Sequence, residues 1–75
     1  MPKLKKSSVA AAQIRARMAY FEISCADLAE AMDLSYLQMY RRLKGGLTAD
    51  QFMAATQALD RIVQAKQEEV IVNAD

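Results

Sequence analysis

The sequence predicts an all-α protein, a compact bundle of four to five helices, and three observations carry that prediction. Helix-start signatures recur along the chain, apolar residues repeat at helical spacing, and the residues that break helices are confined to two places. Proline occurs only at position 2, and the two glycines are adjacent at positions 45 and 46. Nothing else in the chain interrupts a helix.

The first helix is expected to start at Ser7 or Ser8 and to carry Ile14, Met18 and Phe21 on one stripe. The second, about 25–32, opens at Ser24 with Asp27 three residues on, and buries Leu28, Ala29 and Met32. The third, about 36–44, opens at Ser35 with Gln38 and buries Met39 and Leu43. The fourth opens at Thr48 with Gln51 and buries Phe52, Ala55, Leu59 and Ile62. In each signature the hydroxyl accepts from a first-turn N–H while the later side chain reaches back. The end, "EEVIVNAD", departs from this pattern. Its consecutive β-branched residues allow a strand, a helix extension or a dimer contact.

The chain has 75 residues and divides into a basic N-terminal arm at 1–7, a helical domain at 8–66 and a tail at 67–75. Its apolar fraction is 53 %, but fourteen of those residues are alanine, so the core is small. A small core favours association with a second copy. The tail and the last helix are the expected dimer contact, through Ile62, Val63, Val70, Ile71 and Val72. One cysteine allows no intrachain disulfide and suits a reducing compartment. No apolar run approaches the roughly 20 residues that span a bilayer, and the start lacks the apolar core of a secretory signal. A soluble cytoplasmic protein is expected.

Net charge is only +1, yet it is unevenly placed. Residues 1–44 hold eight basic side chains against four acidic ones, whereas residues 45–75 hold two against five. The basic front is the natural partner of a polyanion.

The second and third helices are joined by "DL", or at most "MDLS". So short a link forces a sharp crossing, and Ala29 on the inner stripe lets the next helix come close. This is the logic of a helix-turn-helix. The stretch "CADLAEAMDLSYLQMYRRLKGG" resembles the helix-turn-helix of lambda-repressor-like (Cro/Xre-type) phage and bacterial regulators. Leu28, Ala29, Met32, Leu34, Ser35, Met39, Leu43 and Gly45 stand where that family places its characteristic residues. Asp33 stands where the family places a glycine; aspartate is among the residues that tolerate the left-handed conformation. Thr48 to Leu59 is similar to the family's following helix, and the likeness spans roughly residues 13 to 62.

With Met39 and Leu43 facing inward, Leu37 and Arg41 point most nearly outward at about 100° per residue, with Gln38, Tyr40, Arg42 and Lys44 on the flanks. Tyr36 sits nearer the core side but at the helix start. The resemblance implies that Tyr36, Leu37 and Arg41 read base edges, with Gln38 and Tyr40 beside them. Arginine pairs with guanine through O6 and N7, and leucine packs on a thymine methyl. Arg42 and Lys44, the Ser24, Cys25 and Ser35 helix starts, and the arm residues Lys3, Lys5 and Lys6 are expected on the DNA backbone.

Each of these residues has an ordinary structural role as an alternative. Tyr36 can cover a helix start, and Gln38 is also wanted by the cap of Ser35. Arg42 and Lys44 can complement a helix C-terminus, and the lysine-rich arm can be a solubilising tail. Cys25 at a helix start also raises a redox role.

An enzyme finds little support. The chain has no histidine, no Gly-rich phosphate loop and no metal-spaced cluster, and no general base lies beside Cys25 in sequence. No cofactor, metal or small-molecule substrate is expected. The expectation is a homodimer that binds pseudo-palindromic double-stranded DNA and regulates transcription by promoter occlusion. Such a protein would be associated with the nucleoid of a bacterial or phage-infected cell. The alternative is a protein-interaction module, antitoxin-like or anti-repressor, that keeps the fold without binding an operator.

Overall fold

Hydroxyl side chains start every helix among the described residues, and they do so where the sequence places them. The computed structural model describes residues 5–72, with side chains described as far as residue 68. Ser7 caps α1 (Ser8–Tyr20) by accepting from the Ala10 N–H at 3.1 Å. Ser24 and Asp27 form a reciprocal capping box at the start of α2 (Cys25–Ala31), with bonds of 3.0 and 3.3 Å. Ser35 and Gln38 do the same for α3 (Tyr36–Gly45), at 3.1 and 3.0 Å. Thr48 and Gln51 open α4 (Ala49–Val72), at 3.2 and 2.9 Å. Each box satisfies two backbone donors that would otherwise lack a partner, which is why the boundaries were readable from spacing alone.

The first two helices end by a shared device. In α1 the Ile23 N–H donates to the Met18 carbonyl at 2.8 Å and the Glu22 N–H to Ala19 at 3.2 Å. In α2 the Leu34 N–H donates to Ala29 at 2.8 Å and the Asp33 N–H to Glu30 at 3.1 Å. This is the Schellman arrangement, which needs a left-handed residue just past the helix. Glu22 and Asp33 both take φ of 57° in that role. Position 33 therefore does adopt the conformation for which glycine is the usual choice, with aspartate filling it. After each turn an apolar residue, Ile23 or Leu34, folds back onto the core.

The core is drawn from all four helices and two connecting segments. Ile14, Leu28, Met39, Leu47 and Leu59 are its largest fully buried side chains, with Ala29, Ala55 and Ala58 buried among them. Alanine at those points lets helix backbones come near one another. Phe21, Met32, Phe52 and Ile62, expected on the inner stripes, are half-buried and pack around this centre.

The four-residue link Met32–Ser35 leaves α2 directly against α3, and α3 also touches α1. An isolated bridge joins Ser7 to Leu47: the Ser7 N–H donates to the Leu47 carbonyl at 2.8 Å and the Leu47 N–H to Ser7 at 3.1 Å. Arg17 of α1 forms a solvent-exposed 3.0 Å ion pair with Asp60 of α4, the two helices lying against each other.

The end of the chain does not form the strand that "VIV" allowed. Helix α4 continues through Val72, taking in most of the segment set apart as a tail. Without glycine or proline after position 46, propagation costs less than starting a new element, since each β-branched residue lowers helix stability by well under about 1 kcal/mol. Among the described residues no helix is long and apolar enough to cross a membrane.

Candidate nucleic-acid interface

Helix α3 presents two unlike surfaces. Met39 and Leu43 are buried, and between the paired glycines and Ser35 the opposite side stands in solvent. Leu37 is 53 % exposed, Tyr36 57 % and Tyr40 43 %, a concentration of large apolar side chains found on no other helix among the described residues. Arg41 lies exposed in the middle of this surface. The helix carries no acidic residue, and the ion pair recorded among the described residues joins Arg17 to Asp60, elsewhere on the molecule.

The flank facing α1 is an aromatic and cationic ladder. The rings of Tyr36 and Tyr40 are nearly parallel, 15° apart, with centroids separated by 6.2 Å. One turn further on, Lys44 Nζ lies 5.6 Å from the Tyr40 ring centre, within cation–π range. Beneath the ladder runs a cleft of about 370 Å³ between α1 and α3, with Met18, Ile23 and Leu43 in its floor and Arg15 and Cys25 at its edges. The opposite flank carries Gln38, exposed, and Arg42, half-buried.

Gln38 is held by its cap. Its Oε1 accepts from the Ser35 N–H, so a bidentate grip on adenine has to be made with the amide tethered to the cap, through the second lone pair of Oε1 and the Nε2 donors. The hydroxyls of Ser24 and Ser35 accept from the backbone N–H groups three residues on, at Asp27 and Gln38, and each keeps its own proton to donate. Both serines are exposed.

Cys25 opens α2, half-buried at the end of the cleft. Burial pushes its thiol above the usual range, so the neutral form is favoured and the thiolate that redox chemistry requires is suppressed. Among the described residues no cluster of potential metal ligands is present.

The basic arm takes a defined starting point. Because Ser7 is paired with Leu47, Lys5 and Lys6 leave the molecule beside Gly46, at the C-terminal end of α3, and both are exposed. Lys3 lies outside the described residues. Sequence reasoning treated arm and helix as separate, since nothing in the spacing of positions 7 and 47 announces a two-residue bridge.

Arg15 was also missed. Its guanidinium donates to the Leu43 carbonyl, supplying a partner to the last turn of α3 from a neighbouring helix. The signal available was only that Arg15 follows the buried Ile14, which turns it toward the edge of the core.

The expected dimer residues divide. Ile62 and Val63 are half-buried and pack against their own core, with part of each side chain left in solvent. The side chains of Val70, Ile71 and Val72 lie outside the described residues. Gln64 through Glu68 are exposed along α4.

No family model matches the chain, and neither does any curated protein or solved structure.

Proposed function

We propose that this protein is a sequence-specific double-stranded DNA-binding regulator of the lambda-repressor-like type, acting as a homodimer that occludes a promoter. The observation that carries the reading is the outer surface of α3. It sets Arg41, in no ion pair among the described residues, and the exposed Leu37 at its centre, with Lys44 and Arg42 on the flanks and Lys5 and Lys6 at the far end, and α3 holds no carboxylate. A helix of this kind is suited to the major groove: its centre meets base edges while the surrounding cations meet phosphates.

The supporting geometry continues into α2. The exposed Ser24 hydroxyl, which keeps its proton, offers a donor for a phosphate next to the groove. The cations on α3 and the arm emerging at its far end together suit backbone on both sides of the reading surface. In a two-fold dimer the two α3 helices would enter successive major grooves about 34 Å apart.

The test is selection from a randomised duplex pool at two salt concentrations, with the mass of the free protein taken by sedimentation. The expected result is a pseudo-palindromic consensus, affinity that falls steeply with salt, and a dimeric mass. A pool that yields no consensus at either salt would overturn the reading. A second reading, a protein-interaction module, draws on the apolar share of the same surface, Tyr36, Leu37 and Tyr40. That module would show no enrichment of DNA and would lose a protein partner on Leu37→Asp.

A further inference from the structure

We infer that the half-site is recognised chiefly through the 5-methyl groups of its pyrimidines, with Arg41 as the one untethered two-pronged hydrogen-bonding reader; the inference rests on the DNA-binding function proposed above. The outward surface of α3 holds few groups able to discriminate by hydrogen bonding. Gln38 has its Oε1 tethered to Ser35. Arg42 is half-buried on the far flank, and Lys44 lies over the Tyr40 ring.

What the surface holds instead is an apolar ridge, formed by Leu37 with the parallel rings of Tyr36 and Tyr40 beside it. Each tyrosine hydroxyl stands at a ring tip, and because its freely rotating O–H can either donate or accept it discriminates little between base edges.

Only one feature of the major groove matches such a ridge. Every base pair presents donors and acceptors there, but an apolar group appears only as the methyl on C5 of thymine. Cytosine methylated at C5 places the same group at the same atom of the ring. The ridge therefore favours thymine over cytosine and gains affinity when cytosine at a contacted position is methylated. The surrounding cations complement the phosphates that flank the groove, so a partner bearing methyl groups between two rows of negative charge fits the ridge and its rim together.

The experiment uses the operator selected from the random pool. Each thymine is replaced in turn by uracil, which keeps every hydrogen-bonding group and deletes only the methyl. Binding is measured by fluorescence anisotropy. Loss of a buried methyl is expected to weaken binding about fourfold, at one or more positions in each half-site. Replacing a contacted thymine–adenine pair by 5-methylcytosine–guanine should bind better than plain cytosine–guanine. The Leu37→Asn variant, altered at an exposed site, should bind thymine and uracil duplexes alike where the wild type distinguishes them. Equal affinity for thymine and uracil at every position would overturn the inference and leave DNA binding standing. A pool that yields no operator would remove the DNA-binding function, and the inference with it.

Discussion

Arg15 on α1 donates from its guanidinium to the main-chain carbonyl of Leu43, in the last turn of α3. The carbonyls there have no partner within their own helix, and the helix dipole favours a cation beside them. One side chain thus fixes the end of the helix that carries the proposed reading surface. Arg15→Met keeps the aliphatic stem and removes the donor. It should lower stability by about 1 kcal/mol, read as a drop in the urea midpoint at unchanged slope. An unchanged midpoint would mean the contact contributes nothing.

The paired glycines should respond in opposite directions. Gly46 takes φ of 111°, and a methyl group there would meet the Ser7 main chain and the Lys6 Cβ at 3.2 Å. Gly45 has open space around it and ends α3. Gly46→Ala is expected to cost about 1–3 kcal/mol, while Gly45→Ala should add up to about 0.5 kcal/mol of stability. Thermal unfolding of both variants checks the contrast, and equal shifts would contradict it.

The left-handed turn at Asp33 offers a graded test. With φ at 57°, Asp33→Gly should stabilise by about 0.5 kcal/mol, and Asp33→Val, β-branched and hostile to that conformation, should destabilise by more than about 1 kcal/mol. If valine is tolerated as well as glycine in denaturant titrations, the turn is not what holds α2 against α3.

Thr56 on α4 has a buried hydroxyl with no hydrogen-bond partner among the described residues. Thr56→Val keeps the shape and removes an unsatisfied polar atom, so stability should rise by about 1 kcal/mol. A fall in the unfolding midpoint would reveal that the hydroxyl is satisfied after all.

For DNA binding, Arg41 and Lys44 should separate. Arg41→Ala is expected to lose about 1–3 kcal/mol of affinity and to relax preference at one base pair in each half-site. Lys44→Ala should weaken all sequences alike and flatten the salt dependence. Selection repeated with each variant distinguishes the two, and an unchanged consensus for Arg41→Ala would place that residue on phosphate.

The helix starts were legible because a capping box is written in two residues three positions apart. The inner stripes were legible because helical periodicity is local, as at Ile14 and Met18 or Leu28 and Ala29. What depends on residues distant in the chain was not. Leu47 is fully buried although it lies between helices, since its burial follows from the Ser7 bridge and not from any period. Glu22 resembles an ordinary exposed acid, and its left-handed φ follows from how Ile23 must turn back to the core. On α3 the exposed ring of candidate residues was readable from angle alone. The commitment of Gln38 to its cap was foreseen only as one of two options, because a side chain's choice between backbone and ligand is a balance that spacing does not weigh.

The two hydrogen bonds between Ser7 and Leu47 also bear on how the chain reaches this structure. They close a loop that contains α1, α2 and α3 entire, leaving α4 as the single helix outside it. Closing so long a loop carries an entropic cost that the local helix contacts must precede and offset. The Ser7–Leu47 bridge is therefore expected to form after the three helices have met, so that the departure of the basic arm is fixed only once α3 is seated.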